Sequence, residues 1–200
     1  GGEIPMYYDS MIAKLIVHGS DRHDAIARMR AALNGFVIRG ISSNIPFQAA
    51  LLAHPKFVSG DFNTGFIAEN YAKGFHAEDV PHDDPLFLVA LAAYVNRRYR
   101  ARAARISGQM AGHEVKVGEA FAVVVLGAEG QDQHHAVTVT GFDDLSGAGA
   151  VTVGASSYQI ESDARLGQIR VQGNVNGKPF TAQVERGTAK NPLVLRIAHN

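Results

Sequence analysis

The residues of this chain that could do chemistry are few and scattered. Tyr7-Tyr8-Asp9-Ser10 stands just ahead of an apolar run, with Asp9 beside aromatic surface. A carboxylate there could orient an arginine or a substrate amide through charge-assisted hydrogen bonds. From spacing alone, a structural ion pair or a turn cap explains Asp9 better. Arg97, Arg98, Arg100, Arg102 and Arg105 crowd one short stretch and could bind phosphate or a CoA-type ligand. A solvated or interface-facing helix end is the commoner fate of such a cluster. The nine histidines are dispersed. His134 and His135 are adjacent, so on a strand they face opposite ways and cannot share a metal. His18 and His23 straddle a turn and read as surface groups. Asp143-Asp144, followed by Leu145-Ser146-Gly147, reads as a loop. No phosphate-cradling glycine loop occurs, and no Gly-x-Ser-x-Gly elbow.

Composition narrows the function classes. Two hundred residues with 46% hydrophobic content make one large domain or two small ones with a real core. Nineteen basic residues balance nineteen acidic ones, so no charge excess points to nucleic acid or to an anionic membrane. With no cysteine there is no disulfide framework and no thiolate metal site. That fits a cytosolic setting. No signal peptide or membrane span is evident. The chain opens Gly-Gly-Glu and enters patterned sequence at once, which leads us to expect a piece of a longer polypeptide.

Two regions must position whatever chemistry exists. In the first, Met11–His18 is apolar apart from Lys14 and His18 and reads as a buried strand. Ser20 or Asp21 can cap a helix with Ala25, Ile26, Met29, Ala32 and Leu33 on one face, closed by Gly35. Phe36–Arg39 is a short β-like run. Asn44 caps a second helix carrying Leu51 and Leu52, and His54-Pro55 stops it. Ser59–Thr64 is loop, and Gly65–Tyr71 makes one or two helical turns. A mixed polar stretch, Ala72–His82, looks like a linker.

The second region centres on Asp83–Ile106. Asp84-Pro85 is a helix start, Leu86–Val95 is apolar on every side, and the arginines gather toward the C-terminus, where the macrodipole favours cations. Such a helix is roughly 30 Å long at 1.5 Å per residue. Its all-round apolar half must be enclosed, and it is too short for a bilayer. Ser107–Gly112 is glycine-rich and breaks the helix. Strand-like runs follow at Glu114–Val117, Ala120–Leu126, His135–Thr140, Ala150–Val153, Ser157–Glu161, Gln168–Val175, Phe180–Glu185 and Leu193–Ile197. Asn176-Gly177 is the best hairpin signal. Short strands at this spacing suggest a sandwich or barrel, and a barrel with the helix in its bore satisfies both patterns. The alternative is a sheet with the helix on one face and the outer side of Leu86–Val95 exposed.

Four stretches carry a resemblance. Met6–Leu15, MYYDSMIAKL, then Asp21–Leu33, DRHDAIARMRAAL, Gly40–Asn44, GISSN, and Phe62–Phe66, FNTGF, closely resemble the C-terminal end of the biotin carboxylase domain in order and spacing. The remainder, with DPLFLVALAAYVNRRYRARAARISGQM and a strand-rich tail, is similar to the region that follows it in biotin-dependent acyl-CoA carboxylase α subunits, most of all in their propionyl-CoA branch. The resemblance implies an α+β chain. A small sheet and helices would end an ATP-grasp-family biotin carboxylase domain over residues 1–72. A linker at 73–82 would follow, then a connecting domain over 83–200, an antiparallel β-barrel (113–198) wrapped around a long central helix (84–106).

It also implies a reaction for the parent polypeptide: ATP and bicarbonate carboxylate biotin, and the carboxyl group passes to propionyl-CoA on a separate carboxyltransferase β subunit. Methylcrotonyl-CoA, acetyl-CoA and geranyl-CoA are alternative acceptors. A helix-filled barrel acting as a ligand-binding or purely structural module is the alternative from another class. Biotin, ATP and Mg2+ or Mn2+ would be the cofactors. The β subunit, and a biotin carboxylase dimer or larger hetero-oligomer, would be the partners, in bacterial cytoplasm or the mitochondrial matrix. The glycine-rich phosphate loop, the metal-binding Glu pair and the biotinyl lysine with its flanking Met find no match, so this stretch alone should be inactive. By position in the family pattern, Asp9 would lie near the biotin site in an orienting role. Thr64, Gly65 and Phe66 would border the adenine pocket. Ser107, Gly108, Gln109, Met110, Ala111 and Gly112 would form a hook that grips the β subunit.

Overall fold

The computed structural model describes residue 7 and residues 11–76, 82–127, 130–143, 146–188 and 190–199. Four helices come first: α1 (Arg22–Gly35), α2 (Ile45–Ala53), α3 (Pro55–Ser59) and α4 (Phe66–Asn70). A long helix, α5 (Pro85–Ala104), precedes seven strands: β1 (Ala120–Val125), β2 (Gln133–Asp143), β3 (Ala148–Val153), β4 (Ser156–Glu161), β5 (Arg170–Val175), β6 (Lys178–Arg186) and β7 (Leu195–Ala198).

Helix α5 begins where its capping chemistry is complete. The Asp84 carboxylate accepts the Phe87 backbone N–H at 3.3 Å, and Pro85 occupies the first turn. The Tyr158 hydroxyl on β4 donates to both oxygens of Asp84, at 2.8 and 3.0 Å. The cap is therefore also a tie between helix and sheet. Burial and this hydrogen bond push the Tyr158 phenol up to about 12.

The strands form one antiparallel meander in the order β1-β2-β3-β4-β5-β6-β7 that curls over α5. Alternation along each strand supplies the inner face. Val137 pairs with Val153, Val139 with Val151, Val151 with Tyr158, and Val171 with Ala182. These residues join Phe87, Val89, Ala90, Leu91, Ala93, Tyr94 and Val95 in a single core. Because 89–91 and 93–95 are consecutive, their burial covers every side of the helix. Leu91 is wholly inaccessible. The outer side of α5 is thus not left exposed, although among the described residues β1 and β7 remain the two edges of the sheet. The Asn176-Gly177 hairpin forms as its composition predicts, with φ of 51° and 76°. Gly147 sits at φ +67°, and a Cβ there would come within 2.2 Å of the Ser162 carbonyl. Its own carbonyl accepts the buried Tyr94 hydroxyl.

Helices α1 to α3 pack through Leu33, Ala49 and Leu52, with Leu15, Ile26, Met29, Ile45 and Phe57 around them. Asp21, rather than Ser20, caps α1 by accepting the Asp24 N–H at 2.9 Å. Three sequence expectations fail here. Met11–His18 is not a strand. No described strand pairs with it, and Ile16 is 82% exposed. An apolar run signals burial but not the neighbour that a ladder requires. Phe36–Arg39 forms no ladder either, because the Phe36 carbonyl and the Arg39 side chain bond to side chains of β6. Glu114–Val117 also stays out of the sheet, since the Val115 N–H is taken by Gln109. Helix α3 directly after His54-Pro55 was not legible. There the His54 side chain accepts the Lys56 N–H and restarts the helix.

Leu91→Asp buries a charge with no partner and should cost several kcal/mol, on the order of 3–5. Thermal melting of the variant should show a lost or sharply lowered transition, and an unshifted curve would deny α5 its central place. Tyr158→Phe should cost about 1–2 kcal/mol, since Asp84 remains in reach of water. Tyr158 has its folded pKa raised, so its contribution is present below pH 10 and is lost as pH climbs toward 12. Denaturant titrations at pH 8 and 11 should show a larger loss in the wild type than in Tyr158→Phe, where the Tyr94 phenol, also pushed up by burial, still contributes.

Candidate functional site

The loop after α5 is built around one side chain. Gln109 Nε2 donates to the Ala104 and Ile106 carbonyls, the latter at 3.0 Å, and Gln109 Oε1 accepts the Val115 N–H at 2.7 Å. These bonds satisfy carbonyls at the end of α5 that have no helical partner. Gly108 and Gly112 turn the chain at φ of 88° and 83°. The Met110 carbonyl accepts the His113 N–H at 3.0 Å, and Glu114 accepts the Gly112 N–H at 3.0 Å. That backbone hydrogen bond holds the Glu114 carboxyl below its usual range. The result is a knotted turn that displays apolar groups. Ile106, Met110 and Val115 are 66%, 72% and 61% exposed. Ser107, Gly108, Ala111 and Gly112 are exposed, while Gln109 is half-buried inside the turn. The hook expected over 107–112 includes Gln109, which is turned into the loop, and leaves out the exposed Ile106 and Val115 beside it. The signal available was two large aliphatic residues flanking a glycine-rich turn.

The arginine cluster on α5 is a brace. Arg97 lies 4.8 Å over the Phe142 ring, Arg98 5.9 Å over Tyr94 and Arg100 5.7 Å over Phe121. Arg186 on β6 lies 4.2 Å over Tyr99. The Arg97–Phe142, Arg100–Phe121 and Arg186–Tyr99 contacts extend the grip of the sheet on the helix past its apolar half, whereas Arg98 and Tyr94 lie on the same helix.

The other predicted residues fall apart from this loop. Asp9 lies outside the described residues. Phe66 is buried, edge-on to His54 at 4.9 Å and to Phe62 at 5.9 Å, so it is a core residue of the helical unit. A Cβ on Gly65 would crowd the Asn63 and Glu69 side chains, at 3.0 and 3.1 Å. Thr64 is exposed.

A groove of about 740 Å3 separates the helical unit from the sheet. Ile38, Ile41 and Ser43 line one side, Arg196 and Ile197 of β7 the other, with His82 and His199 between them. Beside it Gln183, on the outer face of β6, crosses to the end of α1. Its amide nitrogen donates to the Leu33, Asn34 and Phe36 carbonyls, at 3.4, 3.1 and 3.3 Å. Its oxygen accepts from Arg39 at 2.9 Å. Arg39 also pairs with Glu185, and Arg30 with Asp83 at 3.1 Å. A polar residue at an outward position of an alternating strand gave no hint of this role. Among the described residues no group of three His, Asp or Glu gathers to hold a metal ion, and no helix is long and apolar enough to cross a membrane.

Known proteins share this sequence in two parts. The biotin carboxylase C-terminal domain matches residues 1–69, and the propionyl-coenzyme A carboxylase BT domain matches residues 88–200. The propionyl-CoA carboxylase alpha chain of Ruegeria pomeroyi is 40% identical over 184 residues, which cover 92% of this chain and 26% of that protein. The mitochondrial propionyl-CoA carboxylase alpha chain of Mus musculus is 32% identical over 183 residues, 92% of this chain and 25% of that protein. Biotin carboxylase 1 of Bacillus subtilis is 60% identical over 67 residues, 34% of this chain and 15% of that protein. The chain spans about a quarter of the length of the curated alpha chains it matches. With a curled antiparallel sheet over one long helix where the BT match falls, and helices where the carboxylase match falls, the chain belongs to the propionyl-coenzyme A carboxylase BT domain family, with biotin carboxylase C-terminal domain sequence ahead of it.

Proposed function

We propose that this chain is the assembly junction of the α subunit of a biotin-dependent propionyl-CoA carboxylase. Residues 1–72 complete a biotin carboxylase domain, 73–82 link, and 83–200 form a helix-centred barrel domain that docks the carboxyltransferase β subunit. In the parent enzyme ATP and bicarbonate carboxylate biotin, and propionyl-CoA becomes methylmalonyl-CoA on the β subunit. The names of the Ruegeria and mouse relatives support the substrate. The bacterial and mitochondrial relatives support a cytoplasmic or matrix setting, according to source.

The described residues do not by themselves fit ATP, its metal or biotin. They gather no three-ligand set, and no lysine of the chain stands beside a methionine. Asp9 is assigned an orienting role near the biotin site. Thr64 is the exposed residue at the adenine-pocket border, with Gly65 and Phe66 holding the wall behind it.

The observation that carries the docking role is the tied loop at 107–112. A turn fixed by its own hydrogen bonds loses little further freedom when a partner arrives, and it offers exposed Ile106, Met110 and Val115. Pre-organisation and a flexible thioether both suit a protein interface. Ile106→Asp and Met110→Asp should each weaken β-subunit binding by about tenfold or more, roughly 1.4 kcal/mol, while the melting temperature stays unchanged. Titration calorimetry between full-length α and β subunits measures this, and unchanged affinity in both variants would remove the loop from the interface. Gln109→Ala acts differently. It unties the turn, so Val115 and Gly112 amide protection should fall along with binding.

A further inference from the structure

The junction between the helical unit and the sheet holds two imidazoles drawn from distant parts of the chain. His82 precedes α5 and His199 follows β7. Their Nε2 and Nδ1 atoms stand 2.9 Å apart. His82 also accepts the Asp84 backbone N–H at its Nδ1, at 3.0 Å. A nitrogen that accepts carries no proton. His82 therefore bears its proton on Nε2 and donates it to His199 Nδ1, and His199 bears its own on Nε2. The bonds run one way, from the Asp84 amide through His82 to His199. Both Nδ1 atoms are filled as acceptors. A proton added to either would set two N–H groups against each other.

The pair sits where it can hold things together. Asp84 caps α5 and receives Tyr158, so His82 is joined to the helix start. The His199 ring meets Phe87 edge-on at 5.2 Å, and Phe87 meets Phe180 at 5.3 Å. Among the described residues strand β7 pairs with β6 alone, and its far end is fastened by His199. Both rings also form part of the wall of the groove beside Ile197 and Arg196.

The geometry points to a proton-sensitive latch: neutral and hydrogen-bonded, His82 and His199 hold the end of β7 against the start of α5, and a proton parts them and frees the edge strand and groove wall. The charged groups that face the pair are Asp83 and Asp84 on its own segment, which favour the proton, and Arg30 from α1, which opposes it. Burial outweighs the carboxylates. It holds His82 below the usual imidazole range, and burial, His82 and Arg30 together pull His199 down to about 4. A depressed imidazole means that the opened state binds more protons than the closed one. The latch is fully effective above the ordinary imidazole pKa of about 6.5 and is lost as pH falls toward 4.

The inference rests on the fold and is independent of the docking role. Hydrogen–deuterium exchange on the full-length polypeptide at pH 7 and pH 5, normalised for intrinsic exchange, tests it. Protection at Leu195–Ala198 and Asp84–Phe87 should fall at least tenfold at pH 5, while β2 to β4 keep theirs. His199→Phe retains a ring against Phe87 but cannot titrate, and His82→Gln retains hydrogen bonding without charge. Because burial acts on each ring by itself, either variant should show a weaker pH dependence of β7 protection than the wild type, and the double variant the same β7 protection at both pH values. Should neither variant fold, the wild-type contrast between β7 and β2–β4 decides. Equal β7 protection at both pH values in the wild type, a loss spread over all strands, or the same pH dependence in a folded variant would overturn the latch.

Discussion

A helix that is apolar on every face has to be enclosed by the rest of its chain. The first half of α5 is such a helix, and the sheet answers it. Consecutive residues from Val89 to Leu91 and from Ala93 to Val95 are all buried, so no single flat layer could cover them. The meander of short strands bends because each strand must turn its alternate apolar row toward the same rod. At about 25 cal/mol per Å2 of apolar surface, burying this rod strongly favours the folded domain. Other features depend on it. The capping carboxylate of Asp84 is reached by Tyr158 only because β4 is pressed onto the helix, and Arg97 and Arg100 find Phe142 and Phe121 only because the strands run alongside.

The enclosure also decides where the molecule can present a surface. Once the helix leaves the sheet at Ala104 its last carbonyls need partners, and Gln109 supplies donors while drawing the following segment into a turn. The same requirement is met at the end of α1 by Gln183, which bonds its last carbonyls from the outer face of β6. One amide rigidifies an exposed loop, and the other binds the helical unit to the sheet. In both cases the need to satisfy backbone groups at a helix end sets the geometry.

The junction differs in character from the two cores. It is made of Gln183, the Arg39–Glu185 and Arg30–Asp83 pairs, and the two imidazoles. Polar contacts of this kind are weaker than apolar burial and respond to pH and salt. The segment matched by the carboxylase domain and the segment matched by the BT domain are therefore joined by the part of the structure most sensitive to its surroundings.

Much of this was legible in the amino-acid sequence. The Asp84-Pro85 start, the ring of apolar residues and the Asn176-Gly177 turn act through neighbours a few positions away, so α5 and the hairpin followed from local chemistry. Seven of the strand-like runs became strands because period-two alternation reports a half-buried sheet directly. What failed depended on partners far along the chain. Met11–His18 has the composition of a strand but no described strand beside it, and Glu114–Val117 gives the Val115 N–H to Gln109 instead of a ladder. Gln109 looked like a surface contact and is the tie inside the loop. Gln183, His82 and His199 looked like ordinary polar residues, and only their meeting across more than a hundred positions gives them roles. The sequence by itself determined the helix, the strands and the family. The tertiary structure decided the joints, because a hydrogen bond between distant residues leaves no periodic trace in either segment.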